Sequence, residues 1–244
     1  MATVYFISDA HLGLGSKTEE RDKEYRLLSF LDHISTRADQ LFIVGDLFDA
    51  WFEYRTVIPK GFHRILTKLE DLIQQGVEIH YLAGNHDYWM GSFFRDDLGM
   101  KVYHHAFSAT VHDKKIFFHH GDGLSDKDSG YRVLKRILRS KITVWLYTWV
   151  HPDLGLALAK YSSQKSRNYT SSKHYGDEDG MLRAARRKVE EGFDIVIMGH
   201  RHRPIRQEIG NGIYINLGDW ITHDSYAEMV DGCIELRVWK IPNA

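Results

Sequence analysis

Val4-Tyr-Phe-Ile7 followed by Ser8-Asp9-Ala-His11 sets a short apolar run directly before two residue types that bind metal ions. The arrangement recurs four more times. Leu41-Phe-Ile-Val44 precedes Gly45-Asp46-Leu-Phe-Asp49, and Glu78-Ile-His-Tyr-Leu82 precedes Gly84-Asn85-His86-Asp87. Lys115-Ile-Phe-Phe118 precedes His119-His120-Gly121-Asp122, and Asp194-Ile-Val-Ile-Met198 precedes Gly199-His200-Arg-His202. Runs this short, rich in β-branched and aromatic residues, read as buried strands. In α/β sheets ligands bind beyond the carboxyl ends of the strands, so clusters far apart in the chain converge on one crevice.

Between the first three strands lie amphipathic stretches at about Glu19 to Ala38 and Lys60 to Gln75, the second followed by Gly76 where a helix cap would fall. The pattern is β-α-β-α-β. After Met198, the runs Pro204 to Glu208, Ile213 to Asn216 and Cys233 to Lys240 read as hairpin-connected strands, with Gly210-Asn-Gly212 as a turn. An α/β body with mixed sheets follows, built from residues 1–124 and 176–244. Residues 125–175 break the pattern with helix-compatible sequence and read as an inserted helical cap.

That segment carries Arg132, Lys135, Arg136, Arg139, Lys141, Lys160, Lys165, Arg167 and Lys173 against one acid after Asp128, namely Asp153. A solvated basic face and a site for an anionic ligand are both open readings. Its apolar set, running from Leu134 through Trp145 and Trp149 to Leu158, exceeds what a short insert needs. Packing on the body and a lipid-facing chamber are the two alternatives.

The chain has 244 residues, 43% hydrophobic and 27% charged, with 32 Lys+Arg against 33 Asp+Glu. That balance argues against a dedicated nucleic-acid binder. The single cysteine, Cys233, excludes an internal disulfide and fits a reducing compartment. No signal peptide is visible before Val4, and the greasy stretches around Ile142 to Val150 and Leu154 to Ala159 are too short to span a bilayer. A cytoplasmic protein able to touch the inner face of the membrane is the expectation.

In Asp9-Ala-His11 and His200-Arg-His202 the i, i+2 spacing would put both side chains on one side of an extended segment. Donors of carboxylate, amide and imidazole type suit Mn²⁺ first, with Fe²⁺ or Zn²⁺ as alternatives, better than an all-oxygen Mg²⁺ or Ca²⁺ site. Two divalent ions bring four positive charges, of which Asp9 and Asp46 cancel two and a hydroxide a third. A positive charge then remains for an anionic phosphate.

Asp-x-His, Gly-Asp-x-x-Asp, Gly-Asn-His-Asp, His-Gly-Asp and Gly-His-x-His, in this order, resemble the calcineurin-like metallophosphoesterases. The resemblance implies a four-layer αββα sandwich and two divalent metal ions. Asp9, His11, Asp46 and His202 would hold one ion, with Asp46 bridging to the other, held by Asn85, His120 and His200. It makes His86 the residue that stabilises the transition state or protonates the leaving group, oriented by Asp87. Asp49 and Asp122 read as outer partners of the ligands or as loop caps rather than as ligands. Within that superfamily, Gly45-Asp-Leu-Phe-Asp-Ala-Trp51, His120 through Tyr131 and Ser166 through Lys173 are similar to the UDP-2,3-diacylglucosamine diphosphatases of lipid A synthesis. Substrate contacts would then fall on Asn85, His86, Asp128, Tyr131, Ser166, Thr170, Lys173 and His200. Two positions depart from the best-known members, which carry Arg at His86 and Asn at Thr170.

The resulting expectation is hydrolysis of UDP-2,3-diacylglucosamine to UMP and 2,3-diacylglucosamine 1-phosphate. The alternatives are another phosphodiesterase or nuclease on the same metals, and a non-catalytic metal-bound scaffold. Because every metal ligand lies outside 125–175, the cap is expected to be separable from metal binding.

Overall fold

Strand β1 (Thr3–Ile7), helix α1 (Lys17–Ile34), β2 (Gln40–Val44), α2 (His63–Gln74) and β3 (Glu78–Leu82) follow the sequence order closely in the computed structural model. Residues 2–124, 129–171 and 180–242 are described, with backbone alone for 129, 131–132 and 164–171. Asp128 and Lys173 lie outside the described residues. Ser16 caps α1 through a reciprocal pair with Glu19, and Gly76, at φ 95°, terminates α2. β1, β2 and β3 pair in parallel, with Phe6 opposite Phe42 and Ile43 opposite Tyr81. Being covered on both faces, they carry near-continuous apolar sequence.

The odd and even faces of these strands go to different layers. Tyr5, Ile7, Leu41, Ile43, Ile79 and Tyr81 pack on Leu27, Phe30, Ile34, Ile65 and Leu69 of α1 and α2. Val4, Phe6, Phe42, Val44 and Leu82 meet a second sheet at Ile116, Phe118, Ile195, Ile197 and Ile215. That sheet contains β5 (Phe107–Val111), β6 (Lys114–Phe118), β7 (Ile195–Met198), β8 (Ile205–Ile209) and β9 (Gly212–Asn216), in the order β5-β6-β7-β9-β8. Its outer face is covered by α6 (Gly180–Glu190) through Met181, Ala184 and Ala185. The first sheet is completed by β4 (Lys101–Tyr103), β10 (Ser225–Val230) and β11 (Cys233–Val238), in the order β11-β10-β1-β2-β3-β4. The result is the expected four-layer αββα sandwich. Among the described residues between β6 and α6 are three helices, α3 (Ser129–Leu138), α4 (Lys141–Tyr147) and α5 (Pro152–Ser171). Among the described residues no helix is long and apolar enough to cross a membrane.

β4, β5, β10 and α6 are additions to the sequence reading. β5 alternates half-buried and exposed residues at a sheet edge and returns to β6 through His112-Asp113, both at positive φ. β10 returns to β11 through Asp231-Gly232 in the same left-handed geometry, a legible hairpin signal.

Phe42 sits at the centre of the inter-sheet core, its ring 4.2 Å from His80, 4.7 Å from Phe118 and 5.2 Å from Phe6 between centroids. Phe42→Ala is therefore expected to cost about 3–5 kcal/mol in urea denaturation. A loss under about 1 kcal/mol would contradict this assignment of the core.

Candidate metal centre and active site

Backbone pairing runs on past the strand ends and places the donors. Asp9 N donates to Gly45 O at 3.0 Å and His11 N to Asp46 O at 2.9 Å, so the loop after β1 zips onto the loop after β2. Gly199 N donates to His120 O at 2.9 Å, tying the loops after β6 and β7 together, and Trp220 N reaches Asp9 O at 3.2 Å. Lys23, buried on α1, donates to His11 O at 2.6 Å and pairs with Glu20 at 2.7 Å. Sequence reading assigned neither residue to the site.

These loops are strained. Asp9, His11, Asp46, His200 and His202 have φ of 53°, 43°, 54°, 68° and 56°, in the left-handed region that non-glycine residues rarely adopt. The extended-segment argument for Asp9/His11 and His200/His202 is thus corrected. Each pair converges because the backbone turns sharply beyond its strand, not because a strand alternates. The crowding also dictates glycine at two flanking positions. A Cβ on Gly84 would collide with the Asp46 carboxylate and one on Gly199 with that of Asp9.

Ligand-type atoms of Asp9, His11 and His202 lie within 4.8 Å of one another, as do those of Asp46, His120 and His200. The Asp46 carboxylate sits between the two groups, with Oδ2 3.1 Å from His120 Nε2 and 3.7 Å from His11 Nε2. Asn85 Oδ1 is 3.1 Å from His120 Nε2. His11, Asp46 and His86 form a third grouping of the same size. The structure therefore brings together all seven residues expected to hold metal.

The imidazoles are aimed inward by partners outside the centre. His120 Nδ1 donates to Val44 O at 2.9 Å, which turns Nε2 toward the centre. His11 Nδ1 lies 3.4 Å from Asp49 Oδ1, and His202 Nδ1 lies 3.5 Å from Asp219 Oδ2. Metal-ligating histidines are held in this way by an outer carboxylate or carbonyl. Asp219 is a support that sequence reading missed. The central Asp9 Oδ1 has no hydrogen-bond partner, whereas Oδ2 accepts from His200 N at 2.8 Å.

Electrostatics make the same demand. Burial opposes a charge on His11, yet the neighbouring carboxylates of Asp49, Asp9 and Asp46 push it up to about 9. Burial likewise opposes a charge on His120, and Asp46 pushes it up to about 10. Asp46 is held well below the usual carboxylate range against its own burial, by His120 first. Two buried carboxylates here require positive charge close by. Divalent cations would replace those protons, and the mixed donors fit them.

His86 Nδ1 donates to Asp49 O at 3.0 Å and its backbone N–H to Asp46 Oδ1 at 2.8 Å. Asp87 does not orient it, which corrects the sequence expectation. Asp87 is fully buried and accepts from Leu47 N at 2.8 Å, Tyr81 Oη at 2.5 Å and Gly84 N at 2.7 Å. It stitches the loop after β3 to the loop after β2, and His86 is oriented by the Asp49 carbonyl instead. Asp49 Oδ1 also accepts from Ser163 Oγ of α5 at 2.9 Å. His119 points away from the donors, its Nδ1 accepting from Gly121 N at 2.8 Å.

Lys135 and Arg139 of the basic helical segment turn inward onto Asp122, with Nζ and Nη2 at 2.7 and 3.0 Å from Oδ2. Ten of the fourteen large hydrophobics exposed among the described residues fall between Val133 and Tyr161, including Ile142 at 72% and Trp149 at 76%. Packing on the body is thus not what these side chains do. Tyr131, Ser166 and Thr170 lie on α3 and α5 with side chains outside the description.

The calcineurin-like phosphoesterase family model matches residues 2–204. A UDP-2,3-diacylglucosamine hydrolase of Porphyromonas gingivalis is 34% identical over 242 residues, covering 92% of each chain. The Haemophilus influenzae protein of that name is 30% identical over 220 residues, covering 88% of this chain and 90% of its own. An archaeal phosphodiesterase structure superposes with a TM-score of 0.52 at 13% identity, covering 97% of this chain and 99% of that one, a likeness of fold alone. The chain belongs to the calcineurin-like phosphoesterase family, with UDP-2,3-diacylglucosamine hydrolases among its relatives.

Proposed function

We propose that this metal-dependent phosphohydrolase cleaves the diphosphate of UDP-2,3-diacylglucosamine, releasing UMP and 2,3-diacylglucosamine 1-phosphate. The observation that carries the reading is the exposed apolar surface of α3, α4 and α5 on the body that holds the clustered Asp and His donors. A water-soluble phosphodiester needs no such surface, whereas burying acyl chains is worth about 0.8 kcal/mol per methylene. The three helices act as a cap on the α/β body. By helical spacing Ser166 and Thr170 share the stripe of α5 that carries Ser163, which reaches Asp49. Asp128, Tyr131 and Lys173 complete the proposed polar contacts to the substrate. The same apolar surface suits the inner face of the membrane, where a diacyl substrate resides, and a free Cys233 fits the cytoplasm.

Asp9, His11, Asp46 and His202 would hold one divalent ion, and Asp46, Asn85, His120 and His200 the other, Mn²⁺ fitting the donors with Fe²⁺ or Zn²⁺ as alternatives. Bound there, the ions supply charge neutralisation for the phosphate and a water of lowered pKa. The chain's own residues do the rest. Asp46 keeps the two donor groups in register, and Asp49 and Asp219 keep the imidazoles facing inward. Asn85 and His200 border the phosphate. His86, its Nδ1–H committed to the Asp49 carbonyl, offers only Nε2 to the site. It donates to the leaving group when that nitrogen is protonated.

Exhaustive chelation, with metal loss verified, is expected to abolish hydrolysis of both UDP-2,3-diacylglucosamine and a chromogenic phosphodiester, and Mn²⁺ to restore both. Cleavage of the chromogenic ester without the lipid substrate would refute the assigned substrate, and undiminished activity without metal would refute the mechanism.

His86→Ala is expected to lower kcat by roughly 10²-fold with metal content near normal, the range for a positioned acid or electrostatic donor. Loss of metal in that variant would make His86 a ligand.

A further inference from the structure

Arg139 lies at the C-terminal end of α3, outside every motif that marks the family in this sequence, yet it touches two ligand-bearing loops at once. Its Nη2 donates to Gly84 O at 3.1 Å and to Asp122 Oδ2 at 3.0 Å. The Gly84 carbonyl belongs to the peptide unit that carries the N–H of Asn85, and Asp122 follows His120 by two residues. Arg139 therefore grips the loop of Asn85 and His86 with one N–H and the loop of His120 with the other. Its guanidinium carbon stands 3.9 Å from the centroid of the Tyr88 ring, so the planar group is clamped by stacking as well. Its side chain is only 16% exposed.

Two further contacts hold the end of α3 against the body. Trp89 Nε1 donates to Leu138 O at 3.0 Å, and Lys135 Nζ donates to Asp122 O at 3.2 Å besides pairing with its carboxylate. Among the described residues Lys135 reaches the second loop, whereas Arg139 spans both. The two loops carry donors that must meet on one ion, and Asn85 Oδ1 and His120 Nε2 are already 3.1 Å apart. A shift of one loop against the other changes that separation directly.

We infer that Arg139 is a positioning residue for the phosphoesterase reaction, a brace from the capping helix that fixes the Asn85–His86 loop against the His120 loop. It touches neither phosphate nor metal and acts through the two loops. The inference rests on the phosphoesterase reading but not on the lipid substrate. A planar, delocalised cation suits this role because it can stack and fork simultaneously, which an ammonium cannot. The consequence for the cap is that its first helix belongs to the catalytic apparatus.

The test is steady-state kinetics of Arg139→Met and Arg139→Lys on the Mn²⁺-loaded full chain, with bis(4-nitrophenyl) phosphate and UDP-2,3-diacylglucosamine as separate substrates. Misplacement of reacting groups by about 1 Å can cost 10²-fold, so kcat is expected to fall by roughly 10- to 100-fold on both substrates in Arg139→Met, with KM within about threefold. Arg139→Lys is expected to recover only part of the loss, and millimolar methylguanidinium to restore activity to Arg139→Ala. Should Arg139→Met fail to fold, Arg139→Gln, a shorter side chain that keeps a neutral donor, is expected to fold and to show the same loss. Wild-type kcat in a folded variant, full recovery by Lys, or a defect confined to KM for the lipid substrate would each overturn the inference. If the wild type cleaves only the small ester, the substrate assignment falls while the Arg139 comparison still stands on that ester.

Discussion

Asp9 and Asp46, buried side by side beyond the ends of adjacent parallel strands, impose the constraint on which the remaining structure depends. Two carboxylates out of water are tolerable only with positive charge and hydrogen bonds around them. Each has one oxygen spent on a backbone N–H, from His200 and His86 respectively, and the other turned toward imidazoles. His11 and His120, both pushed up by these carboxylates, favour that charge, and divalent ions bound there would take its place. Without the carboxylates the histidines would have no reason to share the pocket, and without the histidines the carboxylates could not be buried.

The sandwich delivers the strain that such a centre needs. Five donor residues in left-handed backbone would each resist adopting that conformation, at a cost of order 1–3 kcal/mol apiece. They stay there because the loop–loop hydrogen bonds from Asp9 N and His11 N over-determine the path, and because the aromatic core around Phe42 holds both sheets rigid beneath them. Asp87 adds a third tie, binding Leu47, Tyr81 and Gly84 in one buried carboxylate. Its place beside His86 in the chain suggests partnership with that residue. The geometry gives it to the scaffold.

The parallel half of the fold and the convergence of the seven candidate donors were legible because apolar runs and short-range motifs mark them locally. What escaped was set by long-range contact. Asp219, Lys23 and Ser163 belong to no motif and matter only because folding sets them against His202, His11 and Asp49. β4 and β5 are short or half-exposed edge strands with little apolar signal, whereas the β10–β11 hairpin carries a local turn signal at Asp231-Gly232 that the sequence reading does not use. The i, i+2 reasoning reached the right residues through the wrong backbone, since spacing reports which residues are near in sequence and not the φ at which they turn.

The basic residues of the helical segment show how a compositional reading divides once the chain is folded. As a group they suggested either solvation or an anionic ligand. Lys135 and Arg139 do neither, because Asp122 from the His-Gly-Asp motif is buried and claims them. Deleting the segment would remove both of these cations from Asp122 and the Arg139 donor from the Gly84 carbonyl, a cost that falls on the body as well as on the cap. The exposed Ile142, Trp145 and Trp149 stand on α4 and the loop that follows it, next in the chain after the helix that ends at the ligand loops. That part of the apolar face thus begins directly after the residue that touches the loops of both Asn85 and His120.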